Sequence, residues 1–369
     1  MIMNENNDVT KEPTIATPPK PAPRRKIWKI ILFSVVAFAI VFSVVSFLVT
    51  KSIFDENFGR VNAPQNTTSL RYADVVGYER RQVSFLSGEN KLVGYVYGEE
   101  NEKGLVILAH GLGGGAESNT ALTIALVDNG WRVLAYDSTG SYSSEGEGTK
   151  GLPQSALDLD AALNYVESQN WNLPIMLWGH SWGGYAVAAV LDMGHDIKAS
   201  ISVAGYASPD ALLREQMQRM MGDFSVAAYP FAWLYQRTLF GANAGRSAIE
   251  AINNSGVPTM IIHGTEDEMI GYDGAGIIAH RNEITNPNVV YVTREAVGQN
   301  GHNNLLRSLA AARYAEEKNA EYQRIYQSYD GEIPDDVRAA YNAQIDKSLA
   351  NELDPALMEE MIAFYGAHR

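Results

Sequence analysis

The stretch PIMLWGHSWGGY, residues 174–185, decides how the rest of this sequence is interpreted. It contains the pattern G-x-S-x-G from Gly179 to Gly183, with Ser181 at the centre. The pattern is short, and a chain with 32 glycines in 369 residues can contain it by chance. Its context is more specific, because an apolar run precedes Ser181 and an amphipathic helix start follows it. A turn between a strand and a helix exposes the hydroxyl of the serine at its centre. A serine in an ordinary glycine-rich loop need not be exposed in this way.

The same alternation of apolar runs and helical patterns extends through the chain from about residue 80. Continuous apolar runs such as GLVILAHG (104–111) are typical of strands buried on both faces. The sequence therefore predicts an α/β fold with a mostly parallel eight-stranded sheet, helices on both faces and an antiparallel hairpin at the start. The predicted strands are 81–86, 91–98, 104–111, 131–137, 174–181, 198–206, 258–264 and 288–293, and the predicted helices are Thr120–Asn129, Pro153–Gln169, Trp182–Met193 and Tyr272–Arg281.

A serine nucleophile needs a base, usually a histidine that a carboxylate orients. Catalytic groups on open parallel sheets lie at the carboxyl ends of strands, which favours His302, after the last strand, among the seven histidines. Asp267 follows the strand 258–264 and is the favoured acid, with its neighbour Glu266 as the alternative. The chain order Ser181, Asp267, His302 is the order expected for a serine on such a turn.

Acyl transfer also needs hydrogen-bond donors for the oxyanion. The glycine-rich stretch AHGLGGGAES (109–118) follows a buried strand, so the backbone N–H groups of Leu112 and of Trp182 are the candidate donors. A phosphate-binding loop is a competing interpretation, but the G-x-x-x-x-G-K-[ST] pattern is absent from the sequence. A purely structural glycine turn is the other alternative.

The charge and the cysteine count exclude several classes of function. The net charge is −14, and beyond Lys51 the chain carries 22 of its 29 basic and 40 of its 43 acidic residues. A domain with this excess of acidic residues is not expected to bind the phosphates of a nucleic acid. The absence of cysteine rules out disulfides, thiolate metal sites and a cysteine nucleophile.

The N-terminal segment predicts a membrane anchor. Residues 1–26 are polar, proline-rich and basic at their end, which indicates a disordered cytoplasmic tail. Ile30 to Val49 are 20 residues without a charge, enough for a helix of about 30 Å across a bilayer, so 27–50 is the predicted transmembrane helix.

The alternatives to an anchor are a buried helix of a soluble protein and a cleaved signal peptide. The run is longer than a signal peptide requires and lacks a small-residue cleavage site, which favours an uncleaved anchor. The basic cluster Arg24–Lys26 precedes the run, so the positive-inside rule predicts a cytoplasmic N-terminus and an extracytoplasmic body. Residues 51–78 are expected to form a stalk or a first docking segment.

The body from about Arg81 onward resembles the α/β-hydrolase superfamily, and within it the monoacylglycerol-lipase and serine-aminopeptidase-like branch. Two departures affect the loops: Tyr142 replaces a glycine in the stretch YDSTGSYSSEGEG (136–148), and Met269-Ile270 replaces the usual Val-Pro after Asp267. Asp137 in the first of these loops is expected to be structural. The resemblance rests on His110-Gly111-Leu112-Gly113, Gly179-His180-Ser181-Trp182-Gly183, HGTEDEMI (263–270) and Gly301-His302.

The resemblance implies a hydrolase domain over 79–369, a helical cap over about 207–253 and, beyond the family's usual length, a helical extension over about 314–352. Methionine and aromatic residues in the cap suit either packing or an apolar ligand of variable shape.

The sequence thus predicts a membrane-anchored serine hydrolase that cleaves an ester or related acyl bond and needs neither metal nor organic cofactor. Its expected partners are a small acyl substrate and, through 27–50, the membrane. A serine peptidase or an acyltransferase with the same three residues is the alternative within enzymes, and a non-catalytic surface binding module is the alternative outside them.

Overall fold

The computed structural model describes residues 24–64 and 68–369, so most of the predicted tail, 1–26, lies outside the described residues. The first helix, α1, is Arg24–Asn57, and it is longer at both ends than the predicted span of 27–50. Among the described residues, one helix, Ile27–Asn57 within α1, is long and apolar enough to cross a membrane. The chain divides into two compact units, Met1–Leu48 and Val49–Arg369.

The second unit contains one sheet of eight strands in the order β1-β2-β4-β3-β5-β6-β7-β8. The pairs β1–β2 and β2–β4 are antiparallel and all other pairs are parallel, which confirms the predicted α/β architecture. The strands are β1 (Arg80–Ser87), β2 (Asn90–Tyr97), β3 (Leu105–Ala109), β4 (Arg132–Asp137), β5 (Ile175–His180), β6 (Ile197–Val203), β7 (Thr259–Gly264) and β8 (Val289–Arg294).

Helices cover both faces of the sheet because alternate residues of the central strands point to opposite sides. In β5, Leu177 packs into one apolar core, whereas Met176 and Trp178 pack into the other. The first core is shared with α3, α4 and α7, and the second with α2 and α11. The helices after α1 are α2 (Thr120–Asp128), α3 (Gln154–Ser168), α4 (Trp182–Ala189), α5 (Pro209–Met221), α6 (Ser225–Phe240), α7 (Ala248–Ser255), α8 (Leu309–Ser328), α9 (Asp335–Asn342), α10 (Lys347–Ala350) and α11 (Pro355–His368).

The predicted helix Tyr272–Arg281 is wrong. Only Ile277–His280 forms a short 3₁₀ turn, and the residues before it run as a loop. The carboxylate of Glu215 accepts hydrogen bonds from the N–H groups of Gly271 and Ala275, and Gly276 pairs with a residue after β6. These long-range partners replace the hydrogen bonds that a helix would have made within itself.

The last turn of α1 and the segment after it pack against the rest of the second unit rather than standing free as a stalk. Phe54 is buried, and the carbonyl of Phe58 accepts a hydrogen bond of 2.8 Å from the N–H of Thr149. Val61 exchanges backbone hydrogen bonds of 2.9 and 2.8 Å with Gly140 and Tyr142. Of the two expectations for residues 51–78, these contacts favour the docking segment.

The segments predicted to form the cap and the C-terminal extension each consist of helices of their own. Helices α5 and α6 lie between β6 and α7, within the predicted cap. Helices α8 to α10 follow His302 and share a small apolar cluster around Tyr341, Ile345 and Ala350. Helix α11 returns to the sheet, where Met361 and Tyr365 are buried.

Candidate active site

Ser181 occupies a strained turn between β5 and α4, with φ of 57°. The turn requires glycine on both sides. A Cβ atom on Gly179 would lie 2.1 Å from the carbonyl oxygen of Gly183, and one on Gly183 would lie 2.0 Å from that of Ala109. Both distances are far below van der Waals contact, so these two glycines are what allow the chain to reverse closely enough to expose the serine.

The structure brings Ser181, His302 and Asp267 together, although 121 residues separate the first two. His302 Nε2 lies 2.9 Å from Ser181 Oγ, and His302 Nδ1 lies 2.8 Å from Asp267 Oδ2. Since Nδ1–H donates to the carboxylate, Nε2 is the unprotonated nitrogen and can accept the serine proton. Both His302 and Asp267 are buried, which shields their hydrogen bonds from water.

Asp267 is held as an ion by several donors. Its Oδ1 accepts hydrogen bonds from the N–H groups of Met269, at 2.9 Å, and Ile270, at 2.7 Å. Burial by itself would raise the pKa of this carboxyl, but hydrogen bonds from His263 and His302 outweigh burial and hold the pKa well below its usual range. Asp267 is therefore a carboxylate that can orient His302 and stabilise its imidazolium.

The loop after β3 lies beside the serine. A Cβ atom on Gly111 would be 3.5 Å from Cβ of Ser181. Within residues 24–64 and 68–369, no acceptor takes a hydrogen bond from the N–H of Leu112 or of Trp182. Both predicted oxyanion donors thus have an N–H group available.

His110 fixes the conformation of this loop. Its Nδ1–H donates to the carbonyl of Gly111 at 2.8 Å, and its Nε2 accepts from the N–H of Ser138 at 3.0 Å. Accepting at one nitrogen requires the neutral ring, and burial lowers the pKa of His110 accordingly. Asp137 has the structural role expected for it, because it accepts from the N–H groups of Ala116 and Ser143.

Three residues around the site were not singled out by their sequence pattern. Glu268 Oε2 accepts from the N–H of His302 at 3.1 Å. His263 Nε2 lies 2.9 Å from the carbonyl oxygen of Ile270 and 3.3 Å from Asp267 Oδ2. His180 Nε2 donates to the carbonyl of His302 at 2.9 Å. The sequence places all three residues inside the motifs around Ser181 and Asp267. A position within a motif does not indicate which residues the side chain contacts.

The described part of the chain contains no group of three or more His, Cys, Asp or Glu residues that could hold a metal ion. The groups that meet at the site are a serine hydroxyl, an imidazole and a carboxylate, with backbone N–H groups beside them, and these are the groups that nucleophilic acyl transfer uses.

Fold and turn together define the class: the chain has the α/β-hydrolase fold. Residues 100–239 match the family model described as serine aminopeptidase, S33, so this part of the chain is similar to that family. The matched segment includes Ser181 but ends before Asp267 and His302. No curated protein sequence is significantly similar to the chain.

Several solved structures are similar in fold. The esterase Pf2001 of Pyrococcus furiosus is 19% identical, with a TM-score of 0.51, over 73% of this chain and 98% of that one. Est1E of Butyrivibrio proteoclasticus with bound ferulic acid is 19% identical, with a TM-score of 0.47, over 65% and 97% of the two chains. The acylaminoacyl peptidase of Pyrococcus horikoshii is 16% identical, with a TM-score of 0.47, over 69% and 42%.

Proposed function

We propose that the protein is a membrane-anchored serine hydrolase that cleaves the ester bond of a small acyl substrate through an acyl-enzyme. The observation that carries the proposal is the hydrogen-bonded series from Ser181 Oγ to His302 Nε2, at 2.9 Å, and from His302 Nδ1 to Asp267 Oδ2, at 2.8 Å. A hydroxyl, an imidazole and a carboxylate within these distances are what nucleophilic acyl transfer requires.

In the proposed mechanism, Ser181 Oγ attacks the acyl carbonyl carbon while His302 Nε2 takes the hydroxyl proton. The N–H groups of Leu112 and Trp182 stabilise the oxyanion, and the carboxylate of Asp267 stabilises the imidazolium. The tetrahedral intermediate collapses, the leaving alcohol takes the proton from His302, and Ser181 carries the acyl group. Water then attacks this ester with His302 again as base, releasing the acid and restoring the hydroxyl. No metal or organic cofactor takes part.

The setting of the reaction follows from the N-terminal helix. The length and composition of α1 support a single membrane span, and the basic residues that precede it support a cytoplasmic N-terminus with the hydrolase domain outside. The methionine and aromatic residues of the cap support an apolar acyl group as substrate rather than a polar polymer such as nucleic acid.

Ser181→Ala tests the assignment of the nucleophile. The full chain in detergent should hydrolyse short p-nitrophenyl esters and become labelled by a fluorophosphonate probe. The substitution should abolish labelling and lower kcat by about 10⁴-fold or more, because no other group replaces the nucleophile. Ser168→Ala, at an exposed position at the end of α3, is the matched control and should behave as wild type. Undiminished labelling of Ser181→Ala would overturn the proposal.

A peptidase is the second candidate, and the match of residues 100–239 to the serine aminopeptidase model favours it. A panel that compares aminoacyl amides with acyl esters of the same size separates the two activities. Adding an alcohol acceptor to the ester assay also detects acyl transfer, which uses the same acyl-enzyme. Failure of the wild type to react with any serine-directed probe would instead favour a non-catalytic binding module.

A further inference from the structure

The cap carries an apolar surface that no described residue covers. Phe224 and Val226 are each 78% exposed, and Met220 is 72% exposed. A water-soluble protein rarely leaves so many large apolar side chains exposed within one short stretch of chain, and such surfaces mark binding sites for proteins, ligands or lipid. We define the cap patch as Met220, Met221, Phe224, Val226, Trp233 and Leu234.

The cap patch includes the face of α6 that points away from the protein. The opposite face of the helix is buried through Ala232, Tyr235 and Phe240. A surface helix normally has polar residues on its outward face, but α6 has apolar residues on both. A helix with apolar residues on both faces is expected where both faces are removed from water.

The same helix is attached to the end of α1. Tyr235 Oη donates a hydrogen bond of 2.6 Å to Asp55 Oδ1, and the ring of Tyr235 contacts the ring of Phe54 edge-on, with centroids 5.3 Å apart. Phe54 is only 5% exposed, so this contact is an integral part of the packing. Helix α6 thus binds directly to Phe54 and Asp55, which follow the apolar run of α1.

The length of chain involved places α6 close to the membrane surface. Asp55 is six positions after Val49, the last apolar residue before Lys51. Six helical residues span about 9 Å. The headgroup layer on one side of a bilayer is roughly 5–7 Å thick, so a helix bound at Asp55 lies at the boundary between lipid and water.

The residues around the cap patch suit such a boundary. Trp233 is amphipathic and lies next to Arg237, whose guanidinium is 5.2 Å from the centre of the indole ring. Tryptophan is enriched at membrane interfaces, and arginine can bury its stem in lipid while its charged end stays in water.

We propose that the cap patch docks on the surface of the bilayer that α1 spans, so that the cap of the hydrolase domain rests in the lipid headgroups. This inference depends on the proposed membrane anchoring, but it does not depend on which residues are catalytic. It implies that apolar substrates reach the site from the lipid phase rather than from water.

Single cysteines test the docking, because the chain has none of its own. Val226→Cys and Leu234→Cys would each carry a nitroxide label in the full chain, reconstituted in lipid nanodiscs at one chain per disc. Accessibility to oxygen should exceed accessibility to a water-soluble nickel chelate at both positions. Leu86→Cys, on the edge strand β1 with 67% of its surface exposed, is the control and should remain accessible to nickel.

Two results would overturn the docking. One is free access of nickel to labels at positions 226 and 234 in the discs. The other is protection that appears only at two chains per disc, since this would make the cap patch an interface between copies of the chain. The labels report docking whether or not Ser181 reacts with a probe, so a failure here is distinguishable from a failure of the proposed catalysis.

A kinetic measurement completes the test. Val226→Ser with Leu234→Ser changes only exposed side chains, so the fold should be retained. The apparent KM for an ester dissolved in vesicles should rise by about tenfold, the effect of losing roughly 1.4 kcal/mol of lipid contact, whereas hydrolysis of a short water-soluble ester should not change. An equal effect on both substrates, or none on the vesicle substrate, contradicts the proposal.

Discussion

Two histidine side chains lie next to each other at the site, and the surroundings of His180 lower its pKa. The rings of His180 and His302 lie with centroids 4.8 Å apart. Burial, followed by the positive charge that His302 can carry, lowers the pKa of His180 to about 4. His180 therefore stays neutral at physiological pH and donates to the carbonyl of His302. It supports the loop of the base and is not a second base.

The lowered pKa of His180 predicts a pH dependence of stability. Its ordinary value is 6.5. Between pH 6.5 and 4 the unfolded chain binds a proton that the folded chain does not, so stability falls as the pH falls through this window, by up to about 3 kcal/mol. His180→Gln keeps a donor for the carbonyl of His302 and removes the titration. The unfolding temperature of this variant in detergent should therefore depend less on pH over this range.

His195→Gln is the comparison variant, because the pKa of His195 is raised whereas that of His180 is lowered. The carboxylates of Asp160 and Glu167 raise the pKa of His195, so its contribution is present below the unfolded value and is lost as the pH rises. Replacing His195 should therefore lower stability at acid pH, so that stability depends more steeply on pH than in the wild type. A wild-type slope in His180→Gln would show that His180 does not titrate in this window.

At the scale of elements, cap helix α5 holds the loop that carries Asp267. Glu215 accepts from the N–H groups of Gly271 and Ala275, and Gln216 donates to the carbonyl of Met269 at 2.6 Å. Arg219 donates to the carbonyls of Glu268 and Met269. The family's usual Val-Pro is missing from this loop, and contacts from the cap hold the loop where that rigid pair is lacking.

Glu215→Gln is expected to disturb catalysis without disturbing substrate binding. The amide keeps one acceptor oxygen and loses the second acceptor and the charge, which loosens the loop of Asp267. We expect kcat to fall by roughly tenfold with little change in KM, because small displacements of catalytic groups are costly. The acidic limb of kcat/KM should move to lower pH, since a displaced carboxylate stabilises the imidazolium less.

Glu250→Gln is the matched control for this experiment. Glu250 lies in the first turn of α7, and its side chain is exposed. This variant should have wild-type kcat and an unshifted pH profile. If Glu215→Gln loses thermal stability while its kcat and pH profile stay unchanged, Glu215 is structural and does not position the loop of Asp267.

At the scale of the whole molecule, the position of the basic residues predicts the orientation in the membrane. The cluster Arg24–Lys26 precedes the uncharged run, whereas Lys51 is followed by acidic residues. Val297→Cys, 90% exposed after β8, should react with a membrane-impermeant maleimide in intact cells. Asn6→Cys, ahead of α1, should react only after the membrane is permeabilised. The reverse pattern would place the hydrolase domain in the cytoplasm.

Much of the fold could be predicted because its signals are short-range. The apolar strands, the glycines around Ser181 and the helix that follows are each encoded within about ten residues, and alternation of such units leads to a parallel sheet. The rule that parallel strands present their carboxyl ends at one edge then brought Ser181, Asp267 and His302 into one prediction. The structure places the side chain of His302 within hydrogen-bond distance of both Ser181 and Asp267.

Only the tertiary structure decided the features that depend on partners far apart in the chain. The chain at 271–276 forms a loop in which Glu215 accepts hydrogen bonds from the N–H groups of Gly271 and Ala275, and residues 54–61 dock because Gly148 leaves room for the carbonyl of Phe58. Glu268 reaches the site through a loop that contacts from α5 hold, whereas His263 reaches it from strand β7. The sequence by itself determined which groups could react, since local pattern specifies strands and turns. Only the tertiary structure decided which residues hold these reactive groups in place, because hydrogen bonds between distant segments leave no periodic pattern in the sequence.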